Sequence, residues 1–209
     1  MSNTNEEPHQ VTTEQSARTR ILDTADHLFY QRGLHAVGVD EIVARSQVAK
    51  TTLYAHFKSK DALIAAYLQR QSDSWQRMLE TKLREFPGSP VQAIDVVFSL
   101  IEEGCAETSF RGCPYINFAS EIPDRSHPGW EVCLNHRRWL HGTLRDLAAA
   151  GGAGDPDALA EQLCLLYDAS MVGSVFDGTG RSATVMRGTA STLVHAACST
   201  EVRCPELVG

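Results

Sequence analysis

The chain has 209 residues, 43% of them hydrophobic and 22% charged, with a formal net charge of −7. That composition is ordinary for a folded globular protein with one sizeable core or two small ones. No apolar run approaches the ~20 residues that span a bilayer, and the polar N-terminus has no apolar signal region, which makes the cytoplasm the expected compartment.

Residues 1–14 are polar and are expected to form a disordered arm. Apolar residues then recur at helical spacing, at Ile21, Leu22, Ala25, Leu28 and Phe29, until Gly33 ends the helix. A short second helix from about Val39 to Arg45 carries Asp40 and Glu41 in its first turn, where the macrodipole favours acids. It should bury Ile42 and Val43. A third, from about Lys50 to His56, should bury Leu53 and Phe57. Ser59 is a good N-cap for a fourth helix of close to 27 residues, ending before Pro87-Gly88. Polar residues from Gln69 to Ser74 interrupt its apolar stripe, and the domain boundary is placed there, dividing 15–75 from 76–200.

Beyond it, helices are expected from Pro90 to about Glu107, from Tyr115 to Glu121, and from about Trp130 to Ala150. Asp155-Pro156 supplies an N-cap and a proline at N1 for a helix running to about Phe176. The last helix covers about Ser182 to Ala197, and residues 201–209 form a loose tail. No convincing strand is present, so the expected fold class is all-α: an N-terminal three-helix domain joined by a long helix to a C-terminal helical bundle.

The stretch from about residue 38 to 57 has the form of a helix-turn-helix. Positions facing a DNA groove must be small or polar, and Lys50, Thr51, Thr52 and Ala55 qualify. Positions facing the other helices must be apolar, and Leu53 and Phe57 qualify. Tyr54 and His56 bring a ring and a donor to phosphate height, and Lys58 and Lys60 meet the next stretch of backbone. A local basic island on an acidic chain suits an anionic partner.

With these residues the chain resembles the TetR family of transcriptional regulators, most strongly from about Gln15 to Trp75. TLYAHFKSK, with Leu53, Tyr54, His56, Phe57 and Lys60, is the most specific part. The resemblance implies that Tyr54, His56 and Lys60 contact phosphates and that Lys50, Thr51 and Thr52 lie at or near base edges. One position departs from the family pattern: the tight turn carries Gln47 where glycine is common. A non-glycine residue at positive φ costs about 1 kcal/mol.

The resemblance also implies a homodimer that binds a palindromic operator on double-stranded DNA and holds a small-molecule effector among the middle helices. The dimer helices would be the last two, with Leu159, Leu163, Leu166, Ser170, Met171, Ser174, Met186 and Leu193 at the interface; from the residues alone the same stripe serves equally as a core face within one subunit. GCPYINFASEIPDRSHPGW, from Gly112 to Trp130, is similar to a recurrent segment in one branch of these regulators. A short helix between loops can shift when a ligand fills the adjacent core. Candidate pocket residues are Phe98, Ile101, Cys105, Phe110, Tyr115, Phe118, Trp139, Tyr167 and Met171, aromatic walls suited to a mostly apolar molecule. A ligand that favours a wider spacing of the two recognition helices would release the operator, giving a repressor.

Rival readings use other residues. The chain has six cysteines, none in a C-x-x-C pair. Cys105 and Cys113 flank the suspected moving loop and would sense oxidants or electrophiles if Arg111 stabilised a thiolate there. Cys133 and His136, at i and i+3, could supply two metal ligands, but no further ligand is evident, so neither a metal nor a cofactor is expected. No hydrolase, metalloprotease, P-loop or dinucleotide motif is present, so an enzyme is not expected. A helical interaction module that never touches DNA would leave Lys50, Tyr54, His56, Lys58 and Lys60 unexplained.

Overall fold

A computed structural model describes residues 16–198, and all of their regular structure is helical. The expected arm, the expected tail and Cys204 lie outside the described residues. The elements are α1 (Ala17–Arg32), α2 (Val39–Ser46), α3 (Lys50–His56), α4 (Lys60–Glu85), α5 (Pro90–Ala106), α6 (Pro114–Glu121), α7 (Gly129–Ala150), α8 (Pro156–Asp177) and α9 (Arg181–Cys198).

Local chemistry explains where these helices start and stop. The Ser16 and Ser59 hydroxyls accept from the Thr19 and Ala62 N–H groups and cap α1 and α4. Ser89 and Gln92 form a reciprocal capping box at α5, with Pro90 at its first position. Asp155 caps α8 through the Ala158 N–H, and Gly178, at φ +62°, ends it. The α2–α3 turn passes through Gln47 at φ 54° and ψ 44°, the one non-glycine residue at positive φ among the described residues.

Two cores are built. The first joins Ile21, Ala25, Leu28 and Phe29 of α1 to Ile42, Leu53, Phe57, Leu63, Ile64 and Leu68. The second gathers Leu79, Ile94, Val97, Phe98, Leu140, Leu144, Leu163, Tyr167, Met186 and Val194. Helix α4 passes from one to the other. Its polar stretch is not a break in burial, as the sequence pattern suggested. Ser72 is buried there, and its hydroxyl lies 3.0 Å from His136 Nδ1 on α7. Phe118 and Cys133 fall in the first core, although sequence places them in the second region. The short helix α6 is therefore packed against the N-terminal three-helix unit.

Helix α8 corrects the expected dimer stripe. Leu159, Leu163, Ser170 and Ser174 are buried inside this one chain, as is Met186 of α9, so they are not free to meet a second subunit. Leu166, Met171 and Leu193 pack at the edge of the same core. The outward face of α8 is apolar as well, at Leu165, Val172, Val175 and Phe176, and Val185 continues it on α9. Phe176 is 87% exposed. No helix among the described residues is long and apolar enough to cross a membrane.

Candidate functional site

Helix α3 is seated by Leu53 and Phe57, both buried, with the Arg18 guanidinium 5.2 Å from the Phe57 ring centre. The α3 backbone is anchored to the turn by the Thr52 and Leu53 N–H groups, which donate to the Ala49 carbonyl. Ser46 is buried and returns its hydroxyl to the Ile42 carbonyl at 2.6 Å, which removes a polar group from the α2–α3 contact. Outward, Lys50, Thr51, Tyr54, Ala55, His56 and Lys58 are exposed, and Thr52 is half-buried.

Two of the lysines are more committed than sequence suggests. Lys50 Nζ pairs with Asp40 Oδ1 at 2.6 Å, and that carboxylate raises the pKa of the Lys50 ammonium. Lys60 is half-buried and donates to the Leu34 carbonyl at 2.7 Å, tying α4 to the turn after α1. Arg45 and Arg32 both pair with Glu41. The basic island is thus partly neutralised within the protein.

A cavity of about 410 Å³ lies where α1, α4, α5, α7 and α8 meet the 107–115 segment. Of the residues proposed from sequence, Ile101, Phe110, Tyr115, Tyr167 and Met171 line it. Phe98 instead faces a smaller hollow of about 300 Å³ between α5 and α9, beside Arg187. Cys105 and Phe118 line a separate cleft of about 680 Å³. Trp139 packs against the second core beside His136. Sequence reasoning missed Tyr30, Gln71, Trp75, Met78 and His136 on the cavity wall. Tyr30, Gln71, Trp75 and Met78 are distant in sequence from the Gly112–Trp130 segment, and only folding brings them to it.

The larger cleft separates the α1–α2 turn from the start of α6 and is bridged by hydrogen bonds. Glu121 accepts from the His35 backbone N–H at 2.9 Å, and the His35 ring meets the Glu121 carbonyl at 2.8 Å. Tyr30 donates to the Gly112 carbonyl at 3.1 Å and accepts from the Arg111 N–H at 2.9 Å. Gly112 sits at φ +91°, a conformation that favours glycine. Gly129 is required for another reason: a Cβ there would stand 2.6 Å from the Phe118 ring. The cleft is a hydrogen-bonded seam that shares Tyr30, Glu107, Phe110 and Pro114 with the 410 Å³ cavity.

The candidate sensor thiols, Cys105 and Cys113, are both buried. Burial raises the pKa of Cys113, against the hydrogen bond that Tyr167 donates to its sulfur. Burial likewise raises Cys105. Cys133 is pushed up to about 12 and Cys164 to about 11. A thiolate at Cys105 or Cys113, the requirement of the redox reading, is disfavoured. His136 is not positioned as a ligand beside Cys133: its ring stacks on Tyr115 at 4.1 Å and its Nδ1 is turned to Ser72.

Comparison with known proteins agrees with this architecture. The family model "Bacterial regulatory proteins, tetR family" matches residues 21–67. A crystal structure of a TetR-family transcriptional regulator from Streptomyces coelicolor superposes with a TM-score of 0.82 at 32% identity, covering 88% of this chain and 96% of that one. The transcriptional repressor NemR of Escherichia coli is 27% identical over 115 residues, covering 54% of this chain and 58% of NemR. The transcriptional activator FasR of Mycolicibacterium smegmatis is 38% identical over 88 residues, covering 41% of this chain and 40% of FasR. The chain therefore spans about half the length of these curated relatives. Coverage of nearly the whole Streptomyces structure at 32% identity, with the family model lying over the helix-turn-helix, settles the classification: this chain belongs to the TetR family of transcriptional regulators.

Proposed function

We propose that the protein is a ligand-responsive transcriptional repressor that binds a palindromic operator as a homodimer and releases it when a small, mostly apolar molecule enters the 410 Å³ cavity. The observation that carries this reading is the course of α4. Its first turn is fastened to the helix-turn-helix unit by Lys60, and three turns on, Gln71, Trp75 and Met78 form one wall of the cavity. A change in the cavity is thereby delivered to the base of the DNA-reading unit by a single rigid element.

Base edges fall to Lys50, Thr51 and Thr52 in this reading, and phosphates to Tyr54, His56, Lys58 and Lys60. Two copies pair through the outward apolar face of α8 and α9, at Leu165, Val172, Phe176 and Val185. The two α3 helices then meet successive major grooves. Repression is supported by relatives that are named as repressors, NemR among them. The test is a mobility-shift titration of the chain's own upstream DNA at several salt concentrations, with and without candidate ligands. Weak, sequence-independent binding to that DNA and to a genome-wide fragment pool would overturn the proposal.

A further inference from the structure

Two residues on the cavity wall carry buried nitrogens that find no hydrogen-bond partner among the described residues: Trp75 Nε1 and His136 Nε2. They belong to one neighbourhood. Ser72 and Trp75 are three residues apart on α4 and share a face, and Ser72 holds His136 across the helix pair. Gln76 donates to Ser72 Oγ at 2.9 Å, which fills one of its two lone pairs. In the tautomer in which the Ser72 hydroxyl donates to His136 Nδ1, the ring proton sits on Nε2. Indole nitrogen is a donor only. In that tautomer the two orphaned nitrogens are both N–H donors, carried by residues that line the cavity.

The charge around the cavity narrows the choice of occupant. Arginine and lysine are absent from its described lining, and the exposed Glu103 and Glu107 stand at its edge. A carboxylate-bearing ligand would be unpaired and repelled there. A cation would be drawn to Glu103 and Glu107 at the rim but would meet the positive ends of the N–H dipoles at the wall. Burial holds the His136 ring neutral, so it adds no charge of its own. Phe110, Tyr115 and Tyr167 supply ring surfaces against which a flat molecule can lie.

We propose that the effector is an uncharged aromatic molecule with a carbonyl-type oxygen, which accepts hydrogen bonds at the Trp75–His136 wall. This rests on the reading of the cavity as the effector site, and deepens it by naming the chemistry.

The test uses the full chain under reductant and four probes, three of them each one change away from benzophenone: benzophenone itself, its hydrocarbon counterpart diphenylmethane, the anion para-benzoylbenzoate, and the cation (4-benzoylbenzyl)trimethylammonium. Tryptophan quenching and calorimetry give the affinities. Benzophenone should bind about tenfold or more tightly than diphenylmethane, as expected for one or two hydrogen bonds to otherwise orphaned donors. Its carbonyl stretch should move to lower wavenumber on binding. Trp75→Phe and His136→Phe, which keep a ring at each position, should each shrink that preference and that shift. Equal binding of benzophenone and diphenylmethane, or a preference unchanged in both variants, would overturn the acceptor assignment while leaving the cavity as the effector site. Tighter binding of either ion would overturn it too. Binding of none of the four would overturn the cavity reading itself along with this one.

Discussion

Tyr30 of α1 and Gly112, two residues before α6, are joined by a 3.1 Å hydrogen bond, and the same phenol accepts from the Arg111 N–H at 2.9 Å. One side chain thus ties the DNA-binding unit to the segment that flanks the cavity, with Gln31 to Ser109 and His35 to Glu121 beside it. Tyr30→Phe should keep the fold and the DNA affinity of the free protein. It should lower the unfolding free energy by about 1–2 kcal/mol and reduce the drop in operator affinity that a ligand causes. Denaturant melts and mobility shifts with and without ligand measure both. An undiminished ligand effect would show that α6 does not carry the signal through this contact.

The DNA face predicts a graded salt response. Lys58→Ala should weaken operator binding and reduce the slope of log affinity against log salt by about 0.9, the value for one phosphate contact. Tyr54→Ala should weaken binding with unchanged helical content. Lys60→Met should differ from both, because the Leu34 hydrogen bond is lost as well: affinity and melting temperature should fall together. Unaltered slopes in all three would remove this surface as the DNA contact.

Gln47 occupies the left-handed region at the helix-turn-helix bend. Gln47→Gly relieves that strain and should raise stability by about 0.5–1 kcal/mol, less whatever the freer unfolded chain regains. Thermal unfolding of the two proteins decides the sign, and a loss of stability would mean the glutamine side chain makes an offsetting contribution.

Which parts of this architecture were legible in advance follows from the chemistry of particular residues. Ser59, Ser89-Pro90 and Asp155-Pro156 announce their helices through caps, and Ile21, Leu28, Leu53 and Phe57 declare their inward faces by spacing. Helix α8 was misread because it is apolar on both sides. Leu159 and Leu163 face in while Leu165 and Val172 face out, and a helix hydrophobic all round does not tell which stripe its own core takes. Ser72 and His136 lie 64 residues apart, and nothing local marks a polar stretch on a long helix as one half of a buried pair.

That exposed stripe gives its own prediction. Val172→Arg or Phe176→Arg should leave the helical spectrum intact and raise the dimer dissociation constant about thirtyfold or more, with a parallel loss of operator binding. Sedimentation velocity reads the first and mobility shift the second. A dimer that survives both substitutions would place the subunit contact elsewhere.

Burial holds the His136 imidazole down from 6.5 to about 4. In that window the unfolded chain binds a proton that the folded chain does not, so stability falls as pH falls from about 6.5 towards 4. This one group contributes up to about 1.4 kcal/mol per pH unit. His136→Phe should flatten that part of the curve, measured by chemical denaturation at pH 7, 6 and 5. Parallel curves for the two proteins would show that another group sets the slope.

The Lys50–Asp40 pair has a consequence for how many copies a cell must make. Attraction to DNA of any sequence grows with each unpaired cation that displaces counterions. Lys50 carries its own carboxylate partner, Lys60 is engaged with Leu34, and the chain as a whole carries −7. If this surface reads DNA as proposed, random sequence would be a poor resting place for such a protein. Few copies would be lost to the genome's bulk, so a small pool would keep one operator filled.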